Sequence, residues 1–245
     1  MKNTINVKNY IIALFSIMLI LSMLAFALRP ASATEVEPKT MESVTFTMSE
    51  GAAISLVEGN QKNGLKFIAK MSASDYEGIM ANTDYSNIQF GMFIVPEEYT
   101  AVYDLSIANL FGDSENEAVY GWATFDGEEW QYEGDKIQIM NIYADEMVEK
   151  ENGFVHEGTI SNIKDYNIAR NFDGRGYIKY TENSVVKYKL ADYYDGAVAN
   201  NTRSIAYVAQ MAIADTSASA PTSDEKTWMT NNYINKSVVD YTAED

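Results

Sequence analysis

The chain has no cysteine and a single histidine among its 245 residues. The lack of cysteine excludes disulfides, thiolate metal sites and thiol catalysis, so the core alone must stabilise the fold. One histidine is also too few for a zinc site built from several imidazoles. This histidine, His156, lies in the polar stretch 151–158, and no G-x-S-x-G nucleophile motif accompanies it. We therefore predict that His156 is exposed and non-catalytic.

Basic residues are scarce as well. The chain has 18 Lys and Arg against 35 Asp and Glu, which gives a formal net charge of −17. A surface this acidic repels phosphate backbones and anionic lipids, so neither nucleic acid nor a membrane surface is an expected partner. A high negative charge also keeps an exported protein soluble. Arg170, Arg175 and Arg203 are the only arginines after residue 33, and they are expected to pair with carboxylates such as Asp173.

The first 33 residues have the layout of a secretory signal peptide. Lys2 and Lys8 precede an apolar run over 10–28, and the small residues of 31–33 follow as a cleavage site. Cleavage after Ala33 predicts a secreted, extracellular protein with no membrane contact. An uncleaved membrane anchor is the alternative, because the apolar run is about long enough to span a bilayer.

Short, turn-bounded runs of alternating apolar and polar residues predict a mainly β protein. Residues 34–42 read as a linker, and 43–245 as a single domain without a repeat. The expected fold class is α+β with an antiparallel, sandwich-like β core and C-terminal helices packed on it. The predicted strands are 44–48, 52–57, 65–71, 88–95, 136–143 and two hairpins, 119–132 and 166–190; the predicted helices are 74–81, 97–110, 203–214 and 224–238.

The first hairpin has an unusual aromatic content. A two-residue turn at Asp126-Gly127 would pair Ala123 with Trp130 and would place large aromatics on both faces of the hairpin. A half-buried hairpin has one core face, so the other aromatics would be exposed beside acids and amides, as in a platform that stacks a sugar ring. Alternatively, helices or loops cover the second face. The predicted ligand-binding residues are Tyr120, Trp122, Trp130 and Tyr132, with Tyr193 and Tyr194 as a second group.

Acidic residues leave two further chemistries open. Glycoside hydrolysis needs two carboxylates that flank the scissile bond, but among 35 acids such pairs arise by chance. The loops 113–117 and 192–196 are rich in oxygen ligands, yet neither follows the twelve-residue calcium-loop pattern. The sequence therefore predicts no catalytic residue, no metal and no other cofactor, with calcium as the open alternative.

Five short motifs resemble a known kind of domain. They are 51–56, 64–67, 90–96, 175–180 and 203–209. Together these motifs resemble an uncharacterised β-rich domain that recurs in exported and surface proteins of Gram-positive, often gut-dwelling, bacteria, and the likeness covers roughly 44–215. The relatives carry arginine where this chain has Ser55 and Lys66. Because the family has no established activity, the resemblance implies export and domain extent and assigns no catalytic residue.

Three functions remain compatible with these features. The first is a secreted, non-catalytic module that recognises glycan or cell-surface material through exposed aromatics. The second is a secreted carbohydrate-active enzyme that uses paired carboxylates. The third is a structural domain whose partner is another surface protein. The oligomeric state is not predicted.

Overall fold

Alternation of buried and exposed residues builds most of the secondary structure. In the computed structural model the described residues are 36–56, 64–125, 130–132 and 135–236, with the backbone alone for 123–125 and 130–132. From Glu37 onward they belong to one compact unit. The predicted signal peptide lies outside the described residues. None of the described helices is long and apolar enough to cross a membrane.

Strands dominate the described part of the chain, as predicted. The strands are β1 (Phe46–Met48), β2 (Ala53–Ser55), β3 (Gly64–Met71), β4 (Tyr85–Pro96), β5 (Tyr120–Phe125), β6 (Trp130–Tyr132), β7 (Ile137–Ala144), β8 (Val148–Lys150), β9 (Gly153–Ser161), β10 (Phe172–Glu182), β11 (Val185–Leu190) and β12 (Thr202–Arg203). The α-helices are α1 (Ala73–Met80), α2 (Glu97–Thr100), α3 (Ile107–Phe111), α4 (Ile205–Ala214) and α5 (Ser223–Met229), and a π-helical turn follows at Thr230–Ile234.

The strands form two sheets. The smaller sheet has the order β1-β3-β9-β8, and β2 continues the β1 edge of β3. The larger sheet has the order β11-β10-β4-β7-β5-β6, and β12 pairs with one end of β10. Neighbouring strands are antiparallel except β5 and β7, which run parallel. The predicted mainly β, α+β class is confirmed, with one parallel pair in a sheet expected to be wholly antiparallel.

The main core lies between the two sheets. Phe90, Met92 and Ile94 alternate along β4 and are buried in this core. The sheets approach closely at Gly174 of β10, where a Cβ atom would lie 2.4 Å from the ring of Phe67. Glycine is therefore required at this position by the packing of one sheet on the other.

The C-terminal helices pack on the smaller sheet, as predicted. Helix α4 begins after Ser204, whose hydroxyl accepts a hydrogen bond from the backbone N–H of Tyr207, a normal N-cap. Its apolar face enters the main core, and Met229 of α5 is buried beside it. The buried face of α4 comprises Ile205, Ala206, Val208 and Ala209.

The excursion 97–118 covers part of the outer face of the larger sheet. The predicted helix 97–110 is divided into α2 and α3, and Ser106 caps α3 by accepting from the N–H of Asn109. Leu105 and Leu110 of this excursion are buried against Val95 of β4 and Tyr120 of β5 in a second, smaller core. The excursion therefore covers part of the second face of the first hairpin, which is the alternative that the sequence left open.

The register of the first hairpin differs from the prediction. Phe125 pairs with Trp130 and Ala123 with Tyr132, so four residues, 126–129, connect the strands instead of two. A shift of two positions preserves the alternation of faces, so the hydrophobic pattern could not distinguish the two registers. In the second hairpin Asn183 and Ser184 connect β10 to β11, and both adopt positive φ angles.

Two further predictions are corrected by burial. His156 is buried, because the stretch read as polar is strand β9 and pairs along its length with β3. Its Nε2 lies 3.1 Å from the carbonyl oxygen of Ile142 in the other sheet. Residues assigned to the linker are also packed: Met41 is buried in the main core, and Lys39 forms an ion pair with Asp75 at 2.8 Å.

Candidate functional site

The part of the larger sheet that the excursion leaves uncovered forms a cleft of about 270 Å³. Its walls combine aromatic rings with two amides and one ammonium group. The lining residues come from five strands, β4, β5, β7, β10 and β11, and from helix α3. We call it the aromatic cleft, and its lining residues are Gln89, Phe93, Phe111, Trp122, Asn141, Tyr143, Tyr177, Lys179 and Tyr188.

Strand alternation and register bring these side chains together. Gln89 and Phe93 are separated by an even number of positions on β4 and therefore point to the same face, and the same holds for Tyr177 and Lys179 on β10. Lys179 pairs with Gln89 on one side and with Tyr188 on the other. Cross-strand neighbours from distant parts of the chain thus meet in one row.

Stacked rings form the floor of the aromatic cleft. The indole of Trp122 is stacked on Phe93, with centroids 5.1 Å apart and planes at 14°. Phe93 is stacked in turn on Tyr177 at 4.3 Å. From α3, Phe111 reaches over the sheet and stacks on Tyr188 at 3.7 Å. A continuous set of ring contacts fixes the side-chain orientations and gives the site a preformed shape.

The side chain of Tyr177 orients the neighbouring amide. Its hydroxyl donates a hydrogen bond of 2.9 Å to Oδ1 of Asn141. Burial raises the pKa of Tyr177 to about 12, so the hydroxyl keeps its proton at neutral pH. This bond fixes the orientation of the Asn141 amide, and its NH₂ group is a donor that a ligand can meet.

The rim of the aromatic cleft is polar and open to solvent. Tyr143 is 57% exposed, the highest exposure among the large lining residues. Gln89 is half-buried and donates a long hydrogen bond of 3.4 Å to the exposed carboxylate of Asp145, which is not part of the lining. Lys179 is half-buried, and among the described lining residues it carries the sole formal charge.

The structure separates the predicted hairpin residues. Tyr120 is 1% exposed, its hydroxyl donates to the carbonyl of Tyr103, and burial raises the pKa of this phenol. Tyr120 therefore belongs to the smaller core and does not present its ring to a ligand, because α3 and the preceding loop cover it. Trp122 is half-buried and lines the aromatic cleft. The side chains of Trp130 and Tyr132 lie outside the described part of the structure.

The second predicted group does not join this cleft. The guanidinium of Arg175 lies over the ring of Tyr193 at 4.5 Å and donates to the carbonyls of Leu105 and Ala191. Arg175 is thus satisfied by backbone oxygens and a ring, instead of the carboxylate expected from the sequence. Tyr194 is 38% exposed beside this group, and neither tyrosine lines the aromatic cleft.

Other acidic side chains that the sequence singled out accept hydrogen bonds from groups within the protein. The carboxylate of Asp173 is buried and accepts hydrogen bonds from the hydroxyls of Thr100 and Thr202. Asp113 accepts from the backbone N–H groups of Glu115 and Asn116, so it closes its own loop. Within the described ranges, no group of three or more His, Cys, Asp or Glu side chains could hold a metal ion.

Sequence reasoning identified Trp122 but missed most of the site. Gln89, Phe93, Tyr177 and Lys179 lie in strands that were predicted, and their even spacing shows which of them share a face. Which strands are neighbours, however, is set by pairings such as β4 with β10, whose partners are about 85 residues apart. The spacing within each strand shows which residues share a face. Which strands meet to form the cleft is determined by the topology of the sheet.

Comparisons with known proteins do not identify a family. No family model, curated protein or solved structure matches this chain significantly. The function is therefore inferred from the aromatic cleft itself.

Proposed function

We propose that this protein is a secreted, non-catalytic module that binds a saccharide in the aromatic cleft. The observation that carries the proposal is the position of Trp122 and Tyr143 beside the amides of Asn141 and Gln89. Aromatic faces pack against the C–H faces of a sugar ring, and amides exchange hydrogen bonds with its hydroxyls. Small-molecule sites combine aromatic side chains with a few polar groups that orient the ligand, and this cleft has both.

The dimensions of the cleft favour a short stretch of glycan. Its volume of about 270 Å³ lies near the lower end of ligand pockets. The exposed ring of Tyr143 extends the aromatic surface toward solvent. We infer that one sugar unit occupies the floor beside Trp122 and that the chain continues along the open rim.

Paired-carboxylate hydrolysis receives no support at this site. Such a mechanism needs two acids that flank the scissile bond. No Asp or Glu is found among the described lining residues. Asp173, the acid expected to pair with an arginine, is buried and accepts hydrogen bonds from two threonine hydroxyls. Binding without catalysis is the function that the geometry favours.

The test is retention of the purified protein on insoluble polysaccharides and bacterial cell walls. We expect Trp122→Ala and Tyr143→Ala to reduce retention at least about tenfold, since the sugar ring loses a stacking surface. Tyr166→Ala is the matched control, because Tyr166 is 50% exposed but does not line the cleft. Tyr143→Ala is expected to fold normally, since the ring of Tyr143 is mostly outside the core. A loss of retention in this variant therefore reports on the cleft.

Two results would count against the proposal. The first is no retention on any material. The second is retention that Tyr143→Ala and Tyr166→Ala leave equally unchanged.

A further inference from the structure

We infer that the saccharide recognised in the aromatic cleft is an acidic one, whose carboxylate groups are met by Lys179. This inference rests on the proposed function, since it specifies the chemical class of the ligand at the same site. Three features of the cleft support it: its charge, the position of Lys179 and the orientation of the neighbouring amide.

The charge of the cleft is opposite to the charge of the protein. The chain has nearly twice as many acidic as basic residues, 35 against 18. If the lining of the cleft had the composition of the whole chain, acidic residues would be more frequent in it than basic ones. The described lining residues nevertheless include Lys179 and no carboxylate. Anionic groups that most of this surface repels would meet a local positive charge here.

Lys179 is not engaged within the protein. Some lysines of the described part form ion pairs, as Lys39 does with Asp75 and Lys66 with Glu157. For Lys179 the described residues provide no hydrogen bond or ion pair to Nζ. Its stem is half-buried on β10, between its cross-strand neighbours Gln89 and Tyr188. Lys179 lines the aromatic cleft and is half-buried, so a ligand in the cleft is within reach of this side chain.

The amide of Asn141 adds a second donor. The hydrogen bond from the hydroxyl of Tyr177 to its Oδ1 fixes the orientation of the amide, so the NH₂ group is an oriented donor for a ligand. A carboxylate accepts hydrogen bonds only, so a lysine and an oriented amide NH₂ suit it better than they suit a neutral hydroxyl. The stacked rings of Trp122 and Phe93 would hold the sugar ring that carries the carboxylate.

The experiment compares each polysaccharide before and after chemical reduction of its carboxyl groups, which keeps the linkages and removes the charge. The purified protein is applied to pectate, glucuronoxylan and bacterial cell-wall polysaccharide, and to a sulfated polysaccharide as a separate arm. We expect retention on at least one carboxylated material, with a loss of about tenfold or more after reduction. Lys179→Gln should show the same loss on the untreated material.

Lys189→Gln is the matched control. It removes the same charge from β11, but Lys189 pairs with Ile178 and so belongs to the opposite face of the sheet from Tyr188. We expect Lys189→Gln to keep the retention of the unaltered protein. Equal losses in both lysine variants would mean that overall charge, and not this site, determines binding, and would overturn the inference.

The remaining outcomes separate the two claims. Retention that survives carboxyl reduction and is lost in Trp122→Ala would leave saccharide binding intact and overturn the acidic preference. Retention on the sulfated material alone would overturn the assignment of a carboxylate. No retention on any material would overturn both the inference and the proposed function.

Discussion

The ring of Tyr177 on β10 lies directly over Gly91. Gly91 belongs to β4, the strand between β10 and β7, and β7 carries the hydrogen-bond partner of Tyr177, Asn141. A Cβ atom on Gly91 would lie 2.1 Å from Cε1 and Cζ of Tyr177. The missing side chain lets the phenol cross β4 and reach Asn141 on β7 at 2.9 Å. One glycine thereby determines both the floor of the aromatic cleft and the orientation of an amide at its rim.

Gly91→Ala is expected to destabilise the protein by about 1–3 kcal/mol, the usual cost of overpacking. It should also weaken saccharide retention, because the displaced Tyr177 would release Asn141. Chemical denaturation monitored by tryptophan fluorescence measures the stability.

Tyr177→Leu supplies the control for this clash. Leucine lacks the Cε1, Cζ and hydroxyl atoms that approach Gly91 most closely. In the Tyr177→Leu background, adding Gly91→Ala should cost markedly less than in the unaltered protein. A cost that is the same in both backgrounds would show that the strain at Gly91 has another source.

Asp173 predicts a pH-dependent stability. Burial raises the pKa of this carboxyl above its ordinary value of 3.8, against the lowering effect of the hydrogen bonds from Thr100 and Thr202. As the pH rises above 3.8 the unfolded chain releases this proton first, so the ionised group makes folding less favourable. Asp173→Asn avoids that cost, and its stability relative to the unaltered protein should increase from pH 4 to pH 7. Urea denaturation across this range measures the difference.

Asp84→Asn controls for the general effect of removing one acid, because Asp84 is exposed. Its stability difference should vary little over the same range. If Asp173→Asn gave a difference that did not depend on pH, the buried carboxylate would not be the cause.

Burial of His156 is expected to make folding stability rise with pH, the opposite of the trend for Asp173, and at higher pH. Burial lowers its pKa below the ordinary value of 6.5, and the carbonyl of Ile142 only partly offsets this effect. As the pH falls below 6.5 the unfolded chain takes up the proton first, so the folded state loses relative stability. His156→Gln keeps an N–H donor and does not titrate, so its stability should fall less between pH 7.5 and pH 5.5. Because the chain has one histidine, an unchanged slope in this variant would contradict the assignment.

The sequence predicted the class of the fold and most elements, since strands such as β4 and β10 show clear alternation or apolar runs. It failed at β9, whose buried positions include His156 and Gly158 and so look polar or neutral. Packing against the other sheet, including the contact of His156 with Ile142, decides this burial, and no local pattern contains that information.

The candidate site was predictable only at Trp122. Tyr120 is two residues earlier on the same face of β5, yet one ring is buried and the other lines the cleft. The difference arises because α3 and the loop before it cover Tyr120, a consequence of where the excursion 97–118 packs. Hydrophobicity alone does not distinguish two aromatic residues on one strand face.

The most direct test of the account is an NMR titration of the isotopically labelled protein with a soluble oligosaccharide prepared from a retained polysaccharide. The side-chain amides of Asn141 and Gln89 and the indole N–H of Trp122 report on the aromatic cleft, because all three residues line it. The account predicts saturable shifts of these three signals, with the indole of Trp228 in α5 unaffected. Shifts that cluster elsewhere, or no shifts at saturating oligosaccharide, would contradict it.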